Sequence, residues 1–356
     1  MKQAIQKSIA YYKKNERYYL PAMLVLGFIV DIITFRTVSL TSALWVLTAH
    51  VGIVVLAISI IHLVAEEGRL GKLRRAVPFF LQFSFGALLS GALIFYSFSS
   101  ALSASWPLLL LVVLLMVSNE RLAHAYVWPL VHFPLLYIAV FLSLAVALPF
   151  FVGSIHPAWF FVSGALAMAF VWLIIWLLRN RSQRVAQVQY GIVYIMGILF
   201  LCMGGLYLAN AIPPVPLSVY HSGVYHSVER QGNAYLVQEE KQSFMQKLSF
   251  KKTVHVQNGP VYVFTSIVAP GKLTADIVHH WYRWNEQTDS WVSDGKITYP
   301  IYGGRKEGFR GYSFDRSPRA GKYRVQVETS FGQILGRETF WVERVEQMPE
   351  VVANSL

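Results

Sequence analysis

Up to residue 212 the chain is dominated by seven apolar stretches, at 19–37, 43–65, 76–99, 103–118, 130–150, 157–178 and 188–212. A hydrocarbon core of about 30 Å is crossed by roughly 20 apolar residues in helical form. The fourth stretch is the shortest, but its centre, Pro107 to Val117, is almost pure Leu and Val. Continuous apolar runs of that length read as membrane-spanning helices, so this half is expected to be a helical bundle. Composition agrees: 55% of the residues are apolar and 14% charged, against roughly 25% charged in soluble domains.

The placement of charge then gives orientation. The front part, to Ile212, holds 14 Lys or Arg against 5 Asp or Glu, and the back part 17 against 14, within a net charge of +12. With seven spans counted, 13 basic residues in the front part fall on one side of the membrane and only Arg36 on the other. Basic loops stay in the cytoplasm, so the N-terminus is expected inside and the segment after residue 212 outside the cytoplasm. Trp45, Trp106 and Trp159 each open a span that starts on the outer face, where indoles prefer the interface. The basic excess belongs to membrane loops, which removes the argument for nucleic acid. The first stretch reads as a span rather than a cleaved signal, because it is long and contains Asp31.

Ionisable side chains within the spans are candidates for function. Asp31 and His50 lie at similar depth on neighbouring helices and are expected to pair, either as a proton-responsive couple or as a bond joining two helices. His62 with Glu66, Glu120 with His124, and His132 gather near the cytoplasmic face. Their chemistry suits a metal, but charged helix ends ordinarily solvate at the interface, and neither metal nor cofactor is expected.

From Pro213-Pro214-Val215-Pro216 onward the pattern becomes β. Alternating runs at 223–229 and 234–239, 252–257 and 261–268, 276–284 and 291–301, and 322–329 and 334–342 flank turn signals and read as four hairpins. Seven or eight strands over residues 213–356 suggest an antiparallel immunoglobulin-like sandwich. The single cysteine, Cys202, lies in an apolar run, so this domain has no disulfide. His221 and His226, five apart, would point to opposite faces of one straight strand.

His279-His280-Trp281, Gly303-Gly304-Arg305, Gly308-Phe309-Arg310-Gly311-Tyr312-Ser313, Gly321 to Val327 and Gly332 to Arg337 resemble, over about 255–345, the bacterial family catalogued as domain of unknown function 2914. The family's His-x-Trp strand is met by His279-x-Trp281, and Tyr323 stands where the family often has Trp. The membrane half, with its Pro-Pro-x-Pro-Leu exit at 213–217, resembles domain of unknown function 5924. Neither resemblance implies an activity, but the first implies a bacterial origin, so the expected location is a bacterial inner membrane with residues 213–356 in the periplasm.

No phosphate loop, His-Glu-x-x-His motif, nucleophile elbow or cysteine pair is present, which disfavours an enzyme. The expected function is a membrane-held β-sandwich that binds envelope components or a partner protein; the alternative is a transporter or channel built on the bundle. The segment 302–312 is the foremost binding candidate. Arg305 and Arg310 can fork onto carboxylate or phosphate oxygens, and Tyr302 or Tyr312 can stack, which suits an anionic glycan or lipid headgroup. The plainer reading is a glycine-rich turn whose arginines pair with Glu307 or Asp315. His279 and Trp281 are a further candidate pair, with a core tryptophan beside a hydrogen-bonded histidine as the plainer reading.

Overall fold

The computed structural model describes residues 28, 29, 31, 33, 39–65, 71–99, 102–121, 123–232, 234–241, 252–271, 273–305 and 307–356. Within them six long apolar helices follow one another: α1 (Leu40–Leu63), α2 (Gly71–Phe98), α3 (Leu102–Arg121), α4 (Pro129–Val152), α5 (Ala158–Arg179) and α6 (Gln183–Leu208). All six are long and apolar enough to cross a membrane. The sequence leads one to expect seven spans, and the first, 19–37, lies almost wholly outside the described residues. Large apolar side chains such as Leu56, Phe79, Leu114, Leu177 and Leu201 stay exposed, as lipid-facing positions must.

The helix ends follow from local chemistry. Ser39 caps α1, its Oγ accepting from the Ser42 N–H at 3.2 Å. Helix α6 stops short of its apolar run because Asn210 takes a left-handed φ of 57°. The Ala211 N–H then donates to the Leu206 carbonyl at 2.9 Å, and the Asn210 N–H to that of Tyr207 at 3.0 Å. This pattern satisfies carbonyls that a helix end otherwise leaves open.

Among the described residues eleven strands follow: β1 (Ser218–Tyr225), β2 (Ser227–Gln231), β3 (Ala234–Glu240), β4 (Thr253–Val256), β5 (Val261–Val268), β6 (Thr274–Asn285), β7 (Ser290–Tyr302), β8 (Phe309–Asp315), β9 (Gly321–Thr329), β10 (Ile334–Arg344) and β11 (Val351–Ser355). They form a three-stranded sheet β1-β5-β8, a five-stranded sheet β4-β10-β9-β6-β7, and a small sheet β11-β3-β2. All pairings are antiparallel except β10 with β4.

Three of the four expected hairpins form: β2–β3, β6–β7 and β9–β10. The fourth does not, because β4 joins the five-stranded sheet while β5 joins the three-stranded one. The reason is burial. Val254 and Val256 of β4 and Val261 and Val263 of β5 all enter one core cluster with Trp281, Tyr323, Val325 and Phe340. The turn at 258–260 therefore carries the chain across the core instead of folding it back alongside. The run 223–229 likewise divides at His226 between β1 and β2.

By contact the chain forms two compact units. One contains Leu108–Ala147, Phe161–Gly204 and the described residues up to Phe95; the other contains Tyr96–Pro107, Leu148–Phe160 and Gly205–Leu356. Inside the second unit, Ile155, from the connection between α4 and α5, enters a core cluster with Leu217, Ile267, Leu273, Ile277, Ile301 and Val327. Gln333, beside the β9–β10 turn, donates its amide to the Tyr207 hydroxyl at the end of α6.

Candidate functional site

The candidate segment is shaped by close backbone approach. The Gly303 N–H donates to the Leu273 carbonyl and the Gly304 N–H to that of Ala269, both at 2.9 Å. A Cβ on Gly303 would stand 2.7 Å from the Gly271 carbonyl oxygen, and Gly308, at φ 83°, would place one 2.8 Å from the Ile267 backbone. Only glycine tolerates that combination. Ser266 of β5 donates its hydroxyl to the Glu307 carbonyl and holds the turn down. The segment is not all connection, since β8 begins at Phe309, so Arg310 and Tyr312 stand on a strand.

An open cleft of about 520 Å³ lies here, lined by Arg305, Glu307, Phe309 and Arg310 on one side and by Arg230 and Tyr235 of the β2–β3 hairpin on the other. Arg310 Nη2 donates to Glu307 Oε2 at 2.5 Å, so the expected internal pair exists. The Arg305 guanidinium lies over the Phe309 ring, 5.2 Å from its centroid, and Arg230 Nε donates to the Gly232 carbonyl at 3.2 Å. Three guanidinium groups and one carboxylate thus line the cleft, an excess of positive charge. Tyr302 packs on Phe309 outside the lining. Tyr312 packs against Tyr235 and Tyr262. The sequence reading missed Arg230 and Tyr235, because no local pattern ties the first hairpin to a segment so far along the chain.

His279 and Trp281 lie elsewhere, between the sheets. His279 Nδ1 bonds the Ser313 hydroxyl at 2.8 Å, and its Nε2 meets those of Thr265 at 2.9 Å and Tyr299 at 3.1 Å. Trp281 Nε1 donates to Ser313 Oγ at 2.9 Å. Burial pushes the His279 imidazole down to about 4 and raises the Tyr299 phenol well above its ordinary range. His279 is fully buried and its three partners are hydroxyls, so this is a neutral network that fixes how the sheets pack.

His221 and His226 belong to different sites. His221 Nε2 meets the Tyr225 hydroxyl at 2.7 Å, whereas His226 Nε2 lies 3.1 Å from Glu240 Oε1. Glu240 also accepts from the His255 backbone N–H at 2.6 Å and bonds His255 Nδ1 at 2.8 Å. Burial alone would raise the Glu240 carboxyl, but the bonds from His226 and His255 outweigh it and hold the group below its usual range.

Within the bundle, Asp31 accepts from the Ser90 hydroxyl at 2.5 Å. Buried His50 Nδ1 has no hydrogen-bond partner among the described residues, and its ring tilts against Phe83. Glu66 and the side chain of His124 lie outside the described residues. His132 Nδ1 donates to the Tyr126 carbonyl at 2.9 Å, His62 and His132 meet through their Nε2 atoms at 3.3 Å, and His62 Nδ1 lies 3.1 Å from Ser182 Oγ. Because a carbonyl only accepts, two neutral imidazoles here fix every direction: Ser182 donates to His62, and His62 donates to His132.

Residues 274–342 match the family model described as a protein of unknown function, DUF2914. No curated protein matches the chain. Similar solved structures include an immunoglobulin-like protein from Pseudomonas aeruginosa, 9% identical, covering 34% of this chain and 97% of that one at a TM-score of 0.19. A superoxide reductase (neelaredoxin) from Ignicoccus hospitalis is 7% identical and covers 30% and 79% at a TM-score of 0.20. The soluble domain of PmoD from a Methylocystis species is 15% identical and covers 33% and 96% at a TM-score of 0.19.

Proposed function

We propose that this chain is a bacterial inner-membrane protein that holds a β-sandwich in the periplasm, and that the sandwich binds an anionic envelope component in the cleft between the β2–β3 hairpin and the segment 302–312. The observation that carries this reading is the convergence of Arg230, Arg305 and Arg310 with Tyr235 on one cleft that contains the single carboxylate of Glu307. Guanidinium groups fork onto carboxylate or phosphate oxygens, and a phenol ring beside them offers a stacking face. The loop-charge bias supports the periplasmic placement. The test uses the full chain in neutral-lipid nanodiscs, with glycerol phosphate and phosphatidylglycerol vesicles as phosphate probes and galacturonate as the carboxylate probe. Binding of one of them should weaken as salt rises and fall at least tenfold in Arg305→Ala/Arg310→Ala. Unchanged binding in that variant would place the site elsewhere.

The bundle supports a second reading, proton-coupled transport, through the oriented series Ser182, His62, His132 and the Tyr126 carbonyl. Proton uptake into proteoliposomes that disappears in His132→Leu would favour it.

A further inference from the structure

The outer face of the five-stranded sheet has an order that the cleft does not explain. Alternation sends Tyr323, Val325, Val327, Trp281 and Phe340 into the core and their neighbours outward. Reading across the strands, Trp291 pairs with Trp284 and Lys322 with Trp341. The next row is Ser293, Tyr282, Arg324 and Thr339, and the one after it Lys296, His280, Gln326 and Arg337. Three indoles, two hydroxyl-bearing aliphatic side chains, a phenol and four cations thus share one face.

The cations and rings are in contact. Lys322 Nζ lies 5.6 Å from the Trp284 centroid, 5.5 Å from that of Trp291 and 5.6 Å from that of Trp341. The Arg324 guanidinium stands 4.0 Å over Trp291. Ring contact of this kind fixes a cation without neutralising it. The buried Nε atoms of Arg324 and Arg337 have no hydrogen-bond partner among the described residues. Glu328, the carboxylate in the row beyond, is already engaged by His280 at 3.1 Å and Lys296 at 3.6 Å. Lys322, Arg324 and Arg337 form no ion pair among the described residues, so the centre of the face carries uncompensated positive charge.

We propose that this face binds an extended acidic polysaccharide, with sugar rings lying on the indoles and a sugar carboxylate meeting Lys322, Arg324 and Arg337. Strands lie about 4.8 Å apart, so the row from Trp291 to Trp341 extends about 14 Å, and an extended pyranose chain repeats on a similar spacing. The C–H faces of a sugar suit indole surfaces, its hydroxyls suit Ser293, Tyr282 and Thr339, and its acid groups supply the missing counter-charge. Trp284, Trp291 and Trp341 are half-buried. The Trp284 and Trp291 rings meet edge to face, 5.1 Å between centroids with their planes 70° apart, so the row offers a ring face and a ring edge side by side to a sugar. The face is separate from the arginine cleft and does not rest on the reading given for it.

The test is titration of the full-length protein in neutral-lipid nanodiscs with oligogalacturonate, followed by tryptophan fluorescence and calorimetry. Cellohexaose, polyglutamate and phosphatidylglycerol vesicles serve as competitors. Oligogalacturonate should bind at least tenfold more tightly than cellohexaose or polyglutamate and weaken with salt. Measured in an Arg305→Ala/Arg310→Ala background, which removes the arginine cleft as a second site for the acid groups, Trp291→Leu and Lys322→Gln should each reduce affinity at least tenfold. Should Trp291→Leu fail to fold, Lys322→Gln and Arg337→Gln decide alone. Equal binding of polyglutamate, competition by vesicles alone, or unchanged affinity in Lys322→Gln would each overturn the proposal.

Discussion

Acid should loosen the sandwich through His279, and the structure sets both the sign and the size. The imidazole has an ordinary value of 6.5 and is pushed down to about 4 by burial, so the folded state resists a proton that the unfolded state accepts. The stabilisation is therefore complete above about pH 6.5, declines as pH falls, and levels off once the folded-state value is passed near pH 4. A gap of about 2.5 units at about 1.36 kcal/mol per unit gives an upper limit of about 3 kcal/mol. The perturbation is His279→Gln, which keeps a polar group among Thr265, Ser313 and Tyr299 but does not titrate. It should cost about 1 kcal/mol at pH 7 through imperfect hydrogen bonds, and should flatten the loss between pH 6.5 and 4 by up to about 3 kcal/mol. Denaturant midpoints of the full-length protein, followed by near-ultraviolet circular dichroism of the buried Trp281, measure both quantities. An acid slope in His279→Gln equal to that of the parent would refute the reasoning.

Three further outcomes follow from other parts of the chain. Glu240→Gln should remove a separate acid effect: the Glu240 value is lowered by its histidine bonds, so its stabilisation is present above about pH 4.5 and is lost as pH falls through the folded-state value, and the same midpoints below pH 5 should lose less in the variant. Ile155→Ala, although it lies between two apolar helices, should destabilise the sandwich by about 2–5 kcal/mol because the side chain fills its core, again read from the denaturant midpoint. Gly311→Ala would bring a Cβ to 2.5 Å from the Tyr299 ring and should lower the thermal midpoint while changing the near-ultraviolet signal of Trp281.

The membrane helices were legible because apolar runs of bilayer length have one structural solution, and α1 to α6 fall on the expected stretches. The hairpins β6–β7 and β9–β10 were legible for a similarly local reason, a turn signal between alternating runs. What the sequence hid was non-local. The 258–260 turn looks like a hairpin, and only the shared burial of Val256 and Val261 shows that the chain changes sheets there. Arg305 and Arg310 were visible as a basic glycine-rich segment, but Arg230 and Tyr235 reach the same cleft from another sheet. The row Trp291, Trp284, Lys322 and Trp341 depends on strand register, which fixes neighbours that no single segment contains.

The parallel pairing of β4 with β10 has a kinetic consequence. Residues 253–256 are made long before their partners at 341–344, and non-local pairing of this kind slows folding because the intervening chain must first be ordered. The two local hairpins can close within themselves as soon as each is complete, and together they build β10-β9-β6-β7 with β10 at its edge. Strand β4 then has to wait beside an unfinished sheet, its Val254 and Val256 uncovered. Until β4 docks, the edge of β10 and the uncovered valines leave the nascent domain open to intermolecular strand exchange.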